Sequence, residues 1–313
     1  MWRSTRILLS CAMAVLLAAP VRAAQSIDGS SRPYGVLMTD EVPGLPHHTV
    51  YRPSDLAALR GAKMPIFVWG NGGCEDEGNR YRYFLSHIAA HGYLVVALGK
   101  IGPASRESAA SGWPSDPVLP PTPPDVNAPA ASYPAEMTQA IDWALAQNAA
   151  EGSPLQGRIE TTKIGVSGHS CGGLQALTIA TTDPRVTTTL MLGTGVWSLG
   201  PGGLPGAPDV TKQSLKSVNG TIAYINGELD IALPNTKEDF ALLSHVPAML
   251  AQRKDVAHSG TYWLPNGGAF GTVALAWLDW QLKDDARAGG WFVGEACRLC
   301  TDRRWTIERK NFP

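Results

Sequence analysis

Cysteine is sparse in this chain, with five in 313 residues, too few for the disulfide-dense frameworks that hold small secreted scaffolds together. A surplus of one charge is missing as well: 26 Lys and Arg stand against 27 Asp and Glu. No Lys/Arg run stands out, so neither a nucleic-acid footprint nor a polybasic membrane patch is indicated. Beyond the first residues no segment approaches the roughly 20 consecutive apolar residues that a membrane-spanning helix needs. A second C-x-x-C or a spaced His pair is absent too, so "CRLC" at Cys297 to Cys300 lacks the other half of a zinc site, and a local disulfide is the expectation.

What the sequence does have begins at its N-terminus. "MWRSTRILLSCAMAVLLAAPVRAAQS" places Arg3 and Arg6 before an apolar stretch from Ile7 to Ala19, with small residues at Val21 and Ala23. This is the pattern of a cleaved export signal over residues 1–23, cut after Ala23 or Ala24. Cys11 is preceded by too little apolar sequence for a lipoprotein site. The mature protein is expected to be soluble, in the periplasm or outside the cell, where Cys74, Cys171, Cys297 and Cys300 meet oxidising conditions.

"MPIFVWGNGG" and "GYLVVALG" are continuous apolar runs ending in glycine, as in strands buried on both faces. Between them "NRYRYFLSHIAAH" spaces Tyr83, Phe84, His87, Ile88 and His91 as a helix does. "YPAEMTQAIDWALAQNA" opens with Pro134 at a helix start and carries an apolar stripe. "KIGVSG", "VTTTLMLG" and "TIAYING" are further strand candidates, separated by the helical "GGLQALTIATT" and a loop, and "AMLAQRKDV" is a possible last strand. Alternating strands and helices predict an α/β fold with a mostly parallel central sheet and helices on both faces, its reactive loops at the carboxyl ends of the strands. Two Gly/Pro-rich stretches, Gly102 to Pro134 and Leu199 to Val210, interrupt the pattern as either functional covers or surface loops. Residues 24–286 are read as one domain and 287–313 as an appended extension tied by its C-x-x-C disulfide.

Gly168-His169-Ser170-Cys171-Gly172 fits G-x-S-x-G between a strand and a helix. That context is the nucleophile elbow: a strained turn exposes the serine, and a side chain at either glycine would collide with the neighbouring strand or helix. "GHSCGG", with "WGNGG" before it and "NGELD…AHSG" after it, resembles the α/β-hydrolase superfamily, in the branch of dienelactone-hydrolase-like, chlorophyllase-like and cutinase-like or polyester-hydrolase-like esterases. The resemblance covers roughly Val36 to Leu282 and implies the α/β-hydrolase fold and a serine esterase.

A serine hydroxyl needs a base, and the base an orienting acid; the superfamily order is serine, acid, histidine. Downstream of Ser170 stand only His245, in "FALLSHVPAML" and read as helical and structural, and His258, in a small-residue loop. His258 is the candidate base. The resemblance puts the acid just after the penultimate major strand, at Asp230; Glu228 would point elsewhere, and Asp255 is too near His258 in sequence to orient its ring. The oxyanion donors expected are the Cys171 N–H and a backbone N–H of Gly73 or Cys74, in a glycine loop whose rival reading as a phosphate cradle lacks the following Lys-Ser/Thr. Cys74 and Cys171 on the two walls of that hole form either a disulfide or a pair of buried thiols. Trp197 falls where related esterases set an aromatic against substrate, and simple packing explains it equally well; Trp113 and Tyr133 share the ambiguity.

The expectation is an exported hydrolase of small-molecule or polymeric carboxylic esters, working through an acyl-enzyme with no metal or organic cofactor implied. A peptidase or amidase on the same residues and an inactive binding protein are the alternatives. Neither a nucleic-acid partner nor stable membrane insertion is expected, and the sequence leaves the oligomeric state open.

Overall fold

The computed structural model describes residues 33–102, 130–197 and 208–312. The export signal, Cys11, Trp113 and most of both Gly/Pro-rich stretches lie outside the described residues. The strands are β1 (Val36–Thr39), β2 (His48–Pro53), β3 (Met64–Gly70), β4 (Leu94–Leu98), β5 (Ile159–His169), β6 (Thr188–Leu192), β7 (Thr221–Leu229), β8 (Ala248–Ala257) and β9 (Trp305–Lys310). They form one sheet in the order β1-β2-β4-β3-β5-β6-β7-β8-β9. From β4 to β8 every pairing is parallel, whereas β1, β2 and β9 join antiparallel at the edges.

Among the described residues, five longer helices cover the sheet: α1 (Arg82–Ala89), α2 (Pro134–Ala149), α3 (Cys171–Thr182), α4 (Leu233–Leu242) and α5 (Gly268–Lys283). The two-residue period of a strand sorts its side chains between the faces. Phe67 and Trp69 of β3, with Val95 and Ala97 of β4, join Phe84 of α1 and Trp277 of α5 in one core. Their neighbours Ile66, Val68, Leu94 and Val96 turn the other way and pack with Met137 and Ile141 of α2 and Ala176 of α3. Because both faces are covered, every residue of β3, β4 and β6 is buried, and β3 and β4 therefore read as unbroken apolar runs rather than alternating ones.

The C-terminal segment is built into this architecture. Trp291, Phe292, Leu299 and Trp305 belong to the core cluster of α1 and α5, and β9 pairs with β8 from Ala248–Lys310 to Arg253–Trp305. A disulfide links Cys297 to Cys300. His245 departs from its expected helix: α4 ends at Leu242, and His245 sits in the following turn, its ring 3.3 Å from the Val218 carbonyl. Pro247, two residues on, disfavours continued helix there.

Candidate active site

β5 runs directly into Ser170, and α3 begins at the next residue. Ser170 adopts φ 52° and ψ −120°, a conformation that costs a non-glycine residue about 1–3 kcal/mol and persists only where the surroundings impose it. Here its N–H donates to the Leu192 carbonyl at the end of β6 (3.1 Å), and its carbonyl accepts from Gly173 (2.9 Å). The flanking glycines are demanded by close approach. A Cβ on Gly168 would lie 2.2 Å from the Gly172 carbonyl carbon, and one on Gly172 would lie 2.1 Å from the Gly70 oxygen. Neither contact can be relieved by a rotamer change, because all the atoms are backbone. Gly172→Ala is therefore expected to cost at least about 2–3 kcal/mol by forcing α3 off β3, measurable as a lowered midpoint in urea unfolding; an unchanged midpoint would show that the elbow has slack.

Asp230 and His258 come from adjacent parallel strands. Leu229, the last residue of β7, is opposite Ala257, the last of β8, so the next residue of each strand leaves the sheet at the same, carboxyl end. His258 Nδ1 lies 2.7 Å from Asp230 Oδ1, and His258 Nε2 lies 3.0 Å from Ser170 Oγ. A carboxylate only accepts, so Nδ1 carries the proton and donates to Asp230, leaving Nε2 to accept the serine O–H. Asp230 Oδ1 also accepts the Ala232 N–H at 2.8 Å, which holds the carboxylate in the loop between β7 and α4. Glu228 is exposed and its carboxylate accepts the Asp255 N–H, so both alternative acids lie away from this line.

Opposite the serine, the turn Gly72–Cys74 follows β3. Asn71, fully buried, organises it: Oδ1 accepts from the Trp69 indole, and Nδ2 donates to the carbonyls of Glu75, Glu77 and Leu98. A disulfide joins Cys74 to Cys171, tying this turn to the first residue of α3. The Cys74 N–H is committed to the Asn71 carbonyl (3.1 Å) and the Gly72 N–H to the Tyr81 hydroxyl (3.2 Å). The Cys171 N–H stands in the first turn of α3, where backbone donors have no carbonyl four residues back and the helix dipole favours negative charge.

His169, immediately before the serine, is a participant that sequence reasoning passed over. Its Nδ1 is 2.7 Å from the Tyr81 hydroxyl and its Nε2 is 2.8 Å from the His258 carbonyl oxygen. Burial, and then repulsion from the neighbouring His258, hold its imidazole well below its ordinary value, at about 3, which favours the neutral ring. The signal was its place inside G-x-S-x-G, and nothing local distinguishes such a histidine from an exposed one.

Trp197 is partly buried and packs against the core cluster that contains Leu174, Leu177 and Val196, and Tyr133 is exposed at the start of α2. The backbone before Trp197 is fixed by Asp239, whose Oδ2 accepts the Val196 N–H (2.7 Å) and whose Oδ1 accepts from Lys212 Nζ (2.6 Å). Burial pushes the Asp239 carboxyl up to about 6, against the pull of Lys212 and the Val196 N–H. Since the folded value exceeds the ordinary 3.8, the contribution of this group to stability is fully present below the unfolded value and lost as pH rises through about 6. Asn, permanently neutral, lacks that loss. The stability of Asp239→Asn relative to the parent should therefore improve by on the order of 2 kcal/mol between pH 4 and pH 7, as read from paired urea titrations. A difference independent of pH would refute it.

Among the described residues no cluster of His, Cys, Asp and Glu is arranged to hold a metal, and no helix is long and apolar enough to cross a membrane. No family model matches the chain, and no curated protein matches its sequence. The mostly parallel sheet with helices on both faces is compatible with the α/β-hydrolase superfamily, and the two disulfides fit an oxidising, extracytoplasmic environment.

Proposed function

We propose that this chain is an exported serine hydrolase of α/β-hydrolase fold that cleaves carboxylic esters through an acyl-enzyme. The observation that carries the reading is the unbroken line from Asp230 Oδ1 through His258 to Ser170 Oγ, at 2.7 and 3.0 Å. Ser170 Oγ attacks the ester carbonyl carbon as its proton passes to His258 Nε2, and the imidazolium so formed is stabilised by Asp230. The carbonyl π pair moves onto oxygen, giving a tetrahedral oxyanion. Its collapse breaks the bond to the alkoxy oxygen, which leaves with the proton from His258. Water repeats the cycle on the acyl-serine, releasing the acid.

The oxyanion is assigned to the Cys171 N–H and, across the site, to the Gly73 N–H. Of the two donors expected in that turn, the one on Cys74 is already spent on Asn71. Gly73 has φ 69° and is partly exposed, so its backbone is accessible to a substrate oxygen. Trp197 is proposed to border the acyl or alcohol group. The accompanying organisation is an export signal at 1–23, a catalytic domain at 24–286 and an extension at 287–313, with the product periplasmic or secreted.

Reaction with an active-site fluorophosphonate, followed by peptide mass mapping, tests the chemistry: the adduct is expected on Ser170. Folded protein that takes no adduct would make it a binding protein instead. Turnover of p-nitrophenyl esters over p-nitroanilides tests the bond cleaved, and amide hydrolysis without ester hydrolysis would make it an amidase.

A further inference from the structure

Three separate segments must keep their relative positions for this site to work: the turn after β3, the elbow at Ser170 and the loop after β8. The Ser170–His258 bond by itself fixes only side-chain tips. A second set of bonds joins the same segments through buried groups. The His258 oxygen is a carbonyl and can only accept, so His169 Nε2 carries a proton; in the neutral ring Nδ1 is then an acceptor and takes the Tyr81 O–H. The Tyr81 oxygen, in turn, accepts the Gly72 N–H. Each bond has one chemically permitted direction, and the three run at 3.2, 2.7 and 2.8 Å.

We propose that His169 is a positioning residue that, with Tyr81, locks the oxyanion turn, the elbow and the His258 loop into one unit through this line of hydrogen bonds. The inference rests on the reading of Ser170, His258 and Asp230 as a hydrolytic site and adds how that site is held. His169 and Tyr81 are nearly fully buried, where a hydrogen bond is poorly replaced by water and its loss is felt in full. The two imidazoles of His169 and His258 lie with ring centres 4.8 Å apart. A neutral His169 holds the His258 loop without placing a second positive charge beside the imidazolium that forms during the reaction. A phenylalanine would keep the ring contact with Tyr262 at 5.0 Å but neither polar bond.

Tyr81→Phe, His169→Phe and His169→Gln separate this role from plain packing. In Tyr81→Phe, hydrogen exchange read by mass spectrometry should accelerate on the order of tenfold in the peptides spanning Gly72 and spanning residues 257–260, the latter closed by the Gly260 N–H on the Ala257 carbonyl. Both phenylalanine variants should lose on the order of tenfold in kcat with KM little changed, as expected when reacting groups are misplaced while binding surface remains. The glutamine variant, which still offers an N–H to the His258 carbonyl, should recover to within about threefold of the parent. The double phenylalanine variant should be no slower than His169→Phe, because both act along one line. Unchanged exchange in Tyr81→Phe, a loss carried by KM alone, or a glutamine variant as slow as phenylalanine would each overturn the proposal. A parent protein inert to fluorophosphonate would overturn the hydrolase reading instead, while the exchange measurement would still decide whether the three segments are coupled.

Discussion

Ser170→Ala is expected to abolish ester hydrolysis, lowering kcat by on the order of 10⁴- to 10⁶-fold, and to eliminate labelling by fluorophosphonate. The residue of activity over water would come from the oxyanion donors and from binding alone, which do not need the hydroxyl. Substrate binding should be retained, because alanine removes one oxygen and leaves the backbone of the elbow in place. A companion variant separates chemistry from strain. Ser170 holds φ 52°, which glycine adopts without penalty. Ser170→Gly should therefore be as inactive as Ser170→Ala yet more stable by about 1 kcal/mol, seen as a higher urea midpoint. Substantial hydrolysis by either variant would remove Ser170 from the chemistry, and a glycine variant less stable than alanine would show that the elbow is not strained.

Breaking the Cys74–Cys171 bond is expected to have the largest effect on stability of any change that spares the core. The two residues are separated by 97 positions. Closing a loop of that size restricts the unfolded chain by about 4–5 kcal/mol in the chain-entropy model, and native disulfides typically contribute about 2–5. Cys297 and Cys300 are only 3 apart, so the same model assigns them roughly 2 kcal/mol or less. The contrast within one molecule makes the test internal: Cys74→Ala with Cys171→Ala should lower stability by at least twice as much as Cys297→Ala with Cys300→Ala.

Activity should separate the two bridges even more sharply. In the proposed mechanism the bridge beside Ser170 holds the spacing of the Cys171 and Gly73 N–H groups, and loss of one well-placed oxyanion donor costs about 3–4 kcal/mol of barrier. A misaligned donor should cost part of that, a fall in kcat of about 10- to 100-fold, while removing the C-terminal bridge should leave kcat within about twofold. Both cysteines of the first bridge are at most 9% exposed, so paired substitutions are a cleaner probe than added reductant. Equal effects from the two pairs would mean that neither loop closure nor donor spacing governs the outcome.

Much of the sheet was legible along the chain because its central strands are buried on both faces and are therefore largely apolar. The edges were less so. β9, "WTIERK", mixes polar with apolar residues, since an edge strand satisfies only one neighbour and half of its surface. β9 lies in the segment after residue 286, and its place beside β8 exists only once β8 is there to pair with it. The helix expected around His245 failed for the opposite reason: apolar spacing continued through "FALLSHVPAML" while α4 stopped at Leu242.

The sequence by itself marked the elbow and its serine, because a serine between glycines at a strand-to-helix junction has a local physical cause that needs no distant partner. It also supplied the candidates for acid and base, through their order along the chain. Tertiary structure decided which atoms meet. The opposition of Leu229 and Ala257 brings Asp230 and His258 out at the same end of the sheet, and packing against Tyr81 and the His258 carbonyl, 88 and 89 residues away, gives His169 its bonds. Such contacts are properties of register and burial, which join residues the chain keeps far apart, and no local pattern encodes them.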